Sequence, residues 1–294
     1  GISGLEKSLD EQLKNNDKPI QLSVDKDIQF LIREELLKYN KIFKTLGSAA
    51  ILMKVNNGEI ISIVSLPDYD PNQRNKITDI NYINRATKGV YELGSVFKTF
   101  TLAAALNEKT VEPETEFKNL KKSIKCGRNT ISEYDKKIPS DLTAEQILIR
   151  SGNIGSVRIG QTVGVDNYKK FLNDLNLVNP INFDIEEMGV PVSFKWGKCK
   201  LATVSYGHGI TTTILQLANA YSIIANGGYQ IEPTLIKSNK NLKQERLLKK
   251  DVSKKIISIL RKIVTLKEGT ASLANVEGYE VGGKTGTAQK STIG

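Results

Sequence analysis

The sequence predicts an α+β domain, and three observations carry that expectation. Apolar residues at helical spacing follow a capping Asp25. Two β-branched runs then flank Asn56-Asn57-Gly58, a strong hairpin signal. Long apolar helical segments fill much of the remainder. A hairpin packed on the helix before it is the start of an α+β core.

In order, residues 4–13 read as a short amphipathic piece, 14–19 as a polar linker and 21–24 as a short strand. The helix after Asp25 carries Ile28, Leu31, Ile32 and Leu36 on one side. Residues 49–55 and 59–66 are the hairpin strands, and the proline-flanked stretch 67–72 breaks the sheet into a loop. Residues 95–106 are apolar nearly all round, which predicts a buried helix. Residues 110–139 read as loop with short extended pieces. Thr143-Ala144-Glu145-Gln146 is a capping box that opens a helix. That helix is interrupted at Ser151-Gly152-Asn153, resumes at Ile154 and ends at Gly164, with another over 166–175. Residues 206–210 form a glycine-rich turn. The apolar helix 215–225 closes on Asn226-Gly227-Gly228. An amphipathic helix over 249–264 turns Val252, Ile256, Ile257, Leu260 and Ile263 inward, and 279–288 reads as a strand. No period of 20–50 residues repeats, which argues against a repeat array.

Composition narrows the function. The hydrophobic fraction of 39% suits a packed core. Lys and Arg outnumber Asp and Glu by 42 to 32, a net charge of +10. The lysines are scattered, without an aromatic-interleaved basic stripe, so a solvated surface is preferred over nucleic-acid binding. The densest run, 237–250, carries both signs of charge. Cys126 and Cys199 can pair, but the sequence does not settle it. Neither lies in a Cys-x-x-Cys, and the single histidine, His208, sits in a glycine-flanked turn. A His/Cys zinc site and a Ser-His-Asp triad are therefore disfavoured, and no metal site is expected. No run of about 18 apolar residues is present, and no signal peptide is visible.

The chemistry-bearing candidates begin with Gly94-Ser95-Val96-Phe97-Lys98. If Ser95 opens the helix, Lys98 lies one turn on, and a hydroxyl and an amine share a face. The unpaired N–H groups of a helix start point where an oxyanion would form. A lysine near the start of a buried helix is desolvated, which lowers its pKa toward use as a base. Ser-x-x-Lys alone is common by chance, and a serine there is more often a plain N-cap. Ser151-Gly152-Asn153 places a hydroxyl and an amide in a turn between two helices. Alone, it is ordinary helix punctuation. Lys284-Thr285-Gly286-Thr287 follows Gly282-Gly283, where a ligand backbone could approach closely.

The three elements occur in the order that jointly marks penicillin-binding proteins and serine β-lactamases. The chain resembles the transpeptidase domain of class B penicillin-binding proteins from about residue 4 to residue 294. Supporting stretches are Asn84-Arg85-Ala86-Thr87, Tyr91-Glu92-Leu93-Gly94-Ser95, Tyr206-Gly207-His208-Gly209-Ile210 and Gly283-Lys284-Thr285-Gly286-Thr287-Ala288. They look most like the septum-specific branch. Leu93, Thr99 and Ile214 stand where that family often has proline.

The resemblance implies a penicillin-binding protein/serine β-lactamase-like fold, an antiparallel sheet flanked by helices with an all-helical subdomain. It implies that 1–20 is the tail of a preceding pedestal domain with its linker, and that 21–294 is the transpeptidase domain. Further strands and a final helix are expected beyond the Lys-Thr-Gly strand, so the chain reads as a truncated segment whose missing part completes the sheet. The implied activity is peptidoglycan D,D-transpeptidation. Ser95 is the nucleophile, Lys98 its base and Ser151 a proton relay. Asn153, Lys284, Thr285, Gly286 and Thr287 hold the substrate, and the N–H groups of Ser95 and Thr287 form the oxyanion hole. No cofactor is implied. Implied partners are peptidoglycan stem peptides on lipid-linked strands, β-lactams and other membrane proteins of cell division and cell-wall synthesis. The implied place is the extracytoplasmic face of the cell membrane, with the anchor outside this segment. A β-lactamase or β-lactam-sensing domain, an elongation-branch transpeptidase and a catalytically dead scaffold are the alternatives.

Overall fold

The computed structural model describes residues 3–15, 18–70, 72–73, 83–237 and 245–289. Residues 16–17 of the expected linker, Pro71, part of the Lys-rich run (238–244) and 290–294 lie outside the described residues. In chain order the elements are α1 (Gly4–Ser8), α2 (Asp10–Asn15), α3 (Lys26–Phe43), β1 (Ser48–Met53), β2 (Ile60–Leu66) and β3 (Val90–Tyr91). Then come α4 (Phe97–Asn107), β4 (Glu116–Phe117), β5 (Ser123–Cys126), β6 (Asn129–Ser132), β7 (Leu142–Thr143), α5 (Ala144–Ile149), α6 (Asn153–Val163) and α7 (Val165–Asp174). The last are α8 (Lys198–Val204), β8 (Thr212–Thr213), α9 (Ile214–Ala225) and α10 (Lys250–Thr265). They fall into two compact units, 1–91 with 176–192 and 212–245, and 92–175 with 193–211 and 246–294.

The first unit is the expected helix-on-hairpin. Asp25 accepts from the backbone N–H groups of Asp27 and Ile28 and so starts α3. β1 and β2 pair antiparallel around the Asn-Asn-Gly turn. One side chain docks α3 on β2. Gln29 donates to Ile63 O and accepts from Ile63 N and Ser62 Oγ, standing in for a neighbouring strand. The core is built on Ile60, Ile185, Leu215 and Leu235. Leu31, expected inside, is 62% exposed, because the hairpin covers only one side of α3. Residues 21–24 form no strand. Leu22 makes a single bridge to Ile236 instead.

The second unit is mostly helical and centres on α4. Every residue from Phe97 to Leu106 is buried. Ala103, Ala104 and Ala105 let neighbouring helices approach, while burying Phe97 and Phe100 is worth about 2–3 kcal/mol each. Helices α5, α6, α7 and α10 all contact α4. The Thr143 capping box forms as expected. Inside α4, Thr101 Oγ1 lies 2.7 Å from the Tyr168 hydroxyl and donates to Ser205 O at 2.8 Å. This buried network ties α4 to α7 and to the end of α8.

Two expectations are corrected here. Ile257 is 41% exposed, and Ile259 takes the inward place on α10, as a 3.6-residue period demands. Residues 279–288 form no strand. Among the described residues no strand lies beside them, and their backbone is held by α10 instead. Gly283 N donates to Leu260 O, and Arg261 donates to Val281 O.

Candidate active site

The candidate catalytic and substrate-holding residues, Ser95, Lys98, Ser151, Asn153 and 284–287, all lie in the second unit. Residues 94–96 form a single 3₁₀ turn that feeds into α4, so Ser95 sits in the turn before the helix rather than at its cap. Gly94 has φ +61°, and a Cβ on it would lie 2.1 Å from Thr287 O. A Cβ on Gly286 would lie 2.4 Å from Leu93 O. Two glycines thus let the Lys-Thr-Gly segment lie backbone to backbone against the Ser95 turn.

Lys98 is 1% exposed. Its Nζ donates to Ser151 O at 2.5 Å, Asn153 Oδ1 at 2.7 Å and Ser151 Oγ at 3.2 Å. Ser151 adopts φ +56°, an uncommon conformation for a side-chain-bearing residue that is worth roughly 1–3 kcal/mol of strain. In that conformation its carbonyl and its hydroxyl both accept from Lys98. Burial is the main reason the Lys98 pKa falls to about 7. The nearby Lys284 ammonium pushes the same way, and Glu133 opposes. Burial also lowers Lys284, to about 8. Lys284 Nζ donates to Thr285 O, and Thr285 Oγ1 donates to Thr270 Oγ1. No hydrogen bond joins Lys98 to Ser95 among the described residues.

Several site residues were invisible to sequence reasoning. Glu133 accepts from the N–H groups of Asn153 (2.7 Å) and Ile154 (2.8 Å), and so fixes the start of α6. Ser132 O accepts from Asn153 Nδ2 at 2.8 Å, which orients the carboxamide so that Oδ1 faces Lys98. The Tyr134 ring lies 5.9 Å from Lys98 Nζ, and its hydroxyl donates to Arg150 O. No local spacing links residues 132–134 to the turn at 151–153. The one available signal was the loop-like stretch before the capping box.

Ser95, Ser132, Tyr134, Ser151 and Asn153 line an open cleft of about 710 Å³ together with Thr285, Gly286 and Thr287, whereas Lys98, Glu133 and Lys284 are not among its lining residues. Chemically the cleft and the groups bonded to its lining offer a hydroxyl in a turn, a buried amine near neutrality, a second hydroxyl on that amine, and an ammonium bonded to Thr285 O. That set suits attack on a carbonyl by Ser95 with an anionic group held near Lys284. Among the described residues no cluster of His, Cys, Asp and Glu is arranged to hold a metal.

The model of the penicillin binding protein transpeptidase domain matches residues 48–293. A probable peptidoglycan D,D-transpeptidase FtsI of Caulobacter vibrioides is 32% identical over 99% of this chain and 50% of its own length. A probable peptidoglycan D,D-transpeptidase PenA of Neisseria flavescens is 32% identical over 95% of this chain and 69% of its own. This chain therefore spans half to two thirds of the length of these relatives. The transpeptidase domain of Burkholderia pseudomallei penicillin-binding protein 3 superposes with a TM-score of 0.82. It is 27% identical, over 92% of this chain and 78% of that one.

Proposed function

The chain belongs to the penicillin-binding protein transpeptidase family, and on that premise we propose that it is a peptidoglycan D,D-transpeptidase of the septal branch, acting through a Ser95 acyl-enzyme. The observation that carries the proposal is the buried Lys98 amine, with a pKa of about 7, held beside Ser151 one turn from Ser95.

Ser95 Oγ attacks the carbonyl between two terminal D-alanines of a stem peptide. Its proton passes to neutral Lys98 and from there, through Ser151 Oγ, to the leaving amine. The C–N bond breaks, D-alanine departs, and the acyl group stays on Ser95. The amine of a neighbouring stem peptide then attacks the acyl-enzyme and returns the proton along the same path. The N–H groups of Ser95 and Thr287 stabilise the oxyanion, at about 3 kcal/mol per donor. Lys284 and Thr287 hold the terminal carboxylate, joined by Thr285 once its hydroxyl turns from Thr270, with Gly286 letting this segment lie against the Ser95 turn. The remaining N–H of Asn153 Nδ2 orients the acyl-side amide. β-Lactams enter by the same route.

A hydrolase would need a carboxylate free to activate water. Glu133, beside Lys98, commits both oxygens to the start of α6. Glu92, the carboxylate on the cleft lining, faces His208 Nδ1 at 3.4 Å, and together these placements support a slowly hydrolysed acyl-enzyme. The FtsI name of one relative supports the septal assignment, with other membrane proteins of division as partners. The Cys126–Cys199 disulfide supports an oxidising, extracytoplasmic setting. No helix among the described residues is long and apolar enough to cross a membrane.

The direct test supplies a stem peptide ending in D-Ala-D-Ala together with a D-amino acid acceptor. One D-alanine should be released for each acceptor incorporated. Release without incorporation would mean hydrolysis, and no release at all would overturn the proposal.

The two lysines also set a pH profile. Acylation needs Lys98 neutral and Lys284 charged. The rate should therefore rise tenfold per pH unit below about 7, pass a maximum between about 7 and about 8, and fall above it. Glu133→Gln removes the charge that favours protonated Lys98, so the acidic limb should move to lower pH. A limb that stays in place in this variant would mean that Lys98 is not the titrating group.

A further inference from the structure

Cys126 and Cys199 are joined in a disulfide across 73 residues of sequence. Cys126 ends β5, and Cys199 lies in the first turn of α8. Each half of the bridge leads into a different stretch of the cleft lining. Beyond Cys126 the chain turns into β6, whose Thr130 and Ser132 line the cleft, and Ser132 holds Asn153. Beyond Cys199, α8 runs to Val204 and into Tyr206-Gly207-His208, which also line the cleft. There Gly207 meets the Ser95 turn, and a Cβ on it would lie 1.8 Å from Gly94 O. Lys200 donates to Gly209 O and fixes the turn to α8.

The β5–β6 side is weakly held by its own burial. β5 and β6 pair over four residues each, and of these only Ile131 is buried. A two-stranded hairpin of that length is marginal by itself. Helix α8 is short, but it buries Leu201, Ala202 and Val204, and Ser205 O at its end accepts from Thr101 of α4, so it is the anchored side. A covalent tie from the hairpin to that anchored helix restricts the hairpin's independent motion and presets its position in the cleft lining.

Resting on the Ser95 reading above, we infer that the Cys126–Cys199 disulfide is a clamp that sets the width of the substrate cleft, with both cysteines as positioning residues. Neither β5–β6 nor α8 carries a reacting group. Opening the clamp therefore weakens the encounter with the substrate and leaves the chemical step alone.

The test compares acylation by a fluorescent penicillin before and after reduction with a phosphine. The phosphine gives two electrons to the disulfide, breaking the S–S bond; water supplies the oxygen of the phosphine oxide and the protons of the two thiols, which are counted by alkylation and mass. Reduction should raise the half-saturating penicillin concentration about fivefold, with the limiting rate within twofold. Cys126→Ser/Cys199→Ser should behave like the reduced protein and ignore the phosphine. An unchanged half-saturating concentration with both thiols free overturns the clamp alone. Loss of the limiting rate together with the melting transition overturns it too, since the bond would then be a general staple. No Ser95 labelling in the oxidised protein overturns the transpeptidase reading itself.

Discussion

Ser95→Ala is expected to abolish labelling by fluorescent penicillin, a loss of about 10⁵–10⁶-fold in acylation. In the proposed mechanism the hydroxyl of Ser95 supplies the oxygen of the covalent bond, while those of Ser151 and Thr285 are engaged elsewhere. Ser151 Oγ is already held on Lys98, and Thr285 Oγ1 on Thr270. Ser95 is only partly buried in its 3₁₀ turn, so removing one oxygen leaves no cavity in the core. The variant should keep the melting behaviour and circular dichroism of the parent. Labelling of Ser95→Ala at the parental rate would move the nucleophile elsewhere.

Lys98→Met is expected to lower acylation about 10³-fold while leaving binding of the intact antibiotic nearly unchanged. Methionine matches the lysine stem in length, so packing in α4 is retained. What is lost is the proton acceptor. The three oxygens that Lys98 serves, Ser151 O, Ser151 Oγ and Asn153 Oδ1, lose their donor. That costs about 1–3 kcal/mol of stability, far less than the barrier change of about 4 kcal/mol that a 10³-fold loss represents. The pH dependence should also change in kind. With Lys98 gone, the rise through about 7 disappears, and only the fall near the Lys284 pKa of about 8 remains. A variant that keeps the acidic limb would assign that limb to another group.

Much of the site was legible in the sequence because its parts are local. Ser95 and Lys98 are one helical turn apart, and Ser151 and Asn153 share one turn between two helices. The capping box at Thr143 fixed where that pair of helices begins. Long-range pairing was not legible. Glu133 reaches the start of α6 only because β6 passes beside it, and nothing in its neighbours' spacing marks it. The disulfide joins segments 73 residues apart, so the cysteines alone left the pairing open. The misread strand at 279–288 has the same origin. Its small residues and alternation suit a strand, but a strand is defined by its partner, and here Leu260 and Arg261 of α10 hold that backbone. Leu31 and Ile257 show the limit of periodicity, which marks the side of a helix that can be buried and not how far its neighbours extend.

The most direct measurement is peptide mapping after exposure to benzylpenicillin. One equivalent of the intact antibiotic mass should appear on the peptide that bears Ser95 and persist for hours. An adduct on another peptide, or many hydrolysed antibiotic molecules released per protein with no adduct retained, would contradict a Ser95 acyl-enzyme transpeptidase.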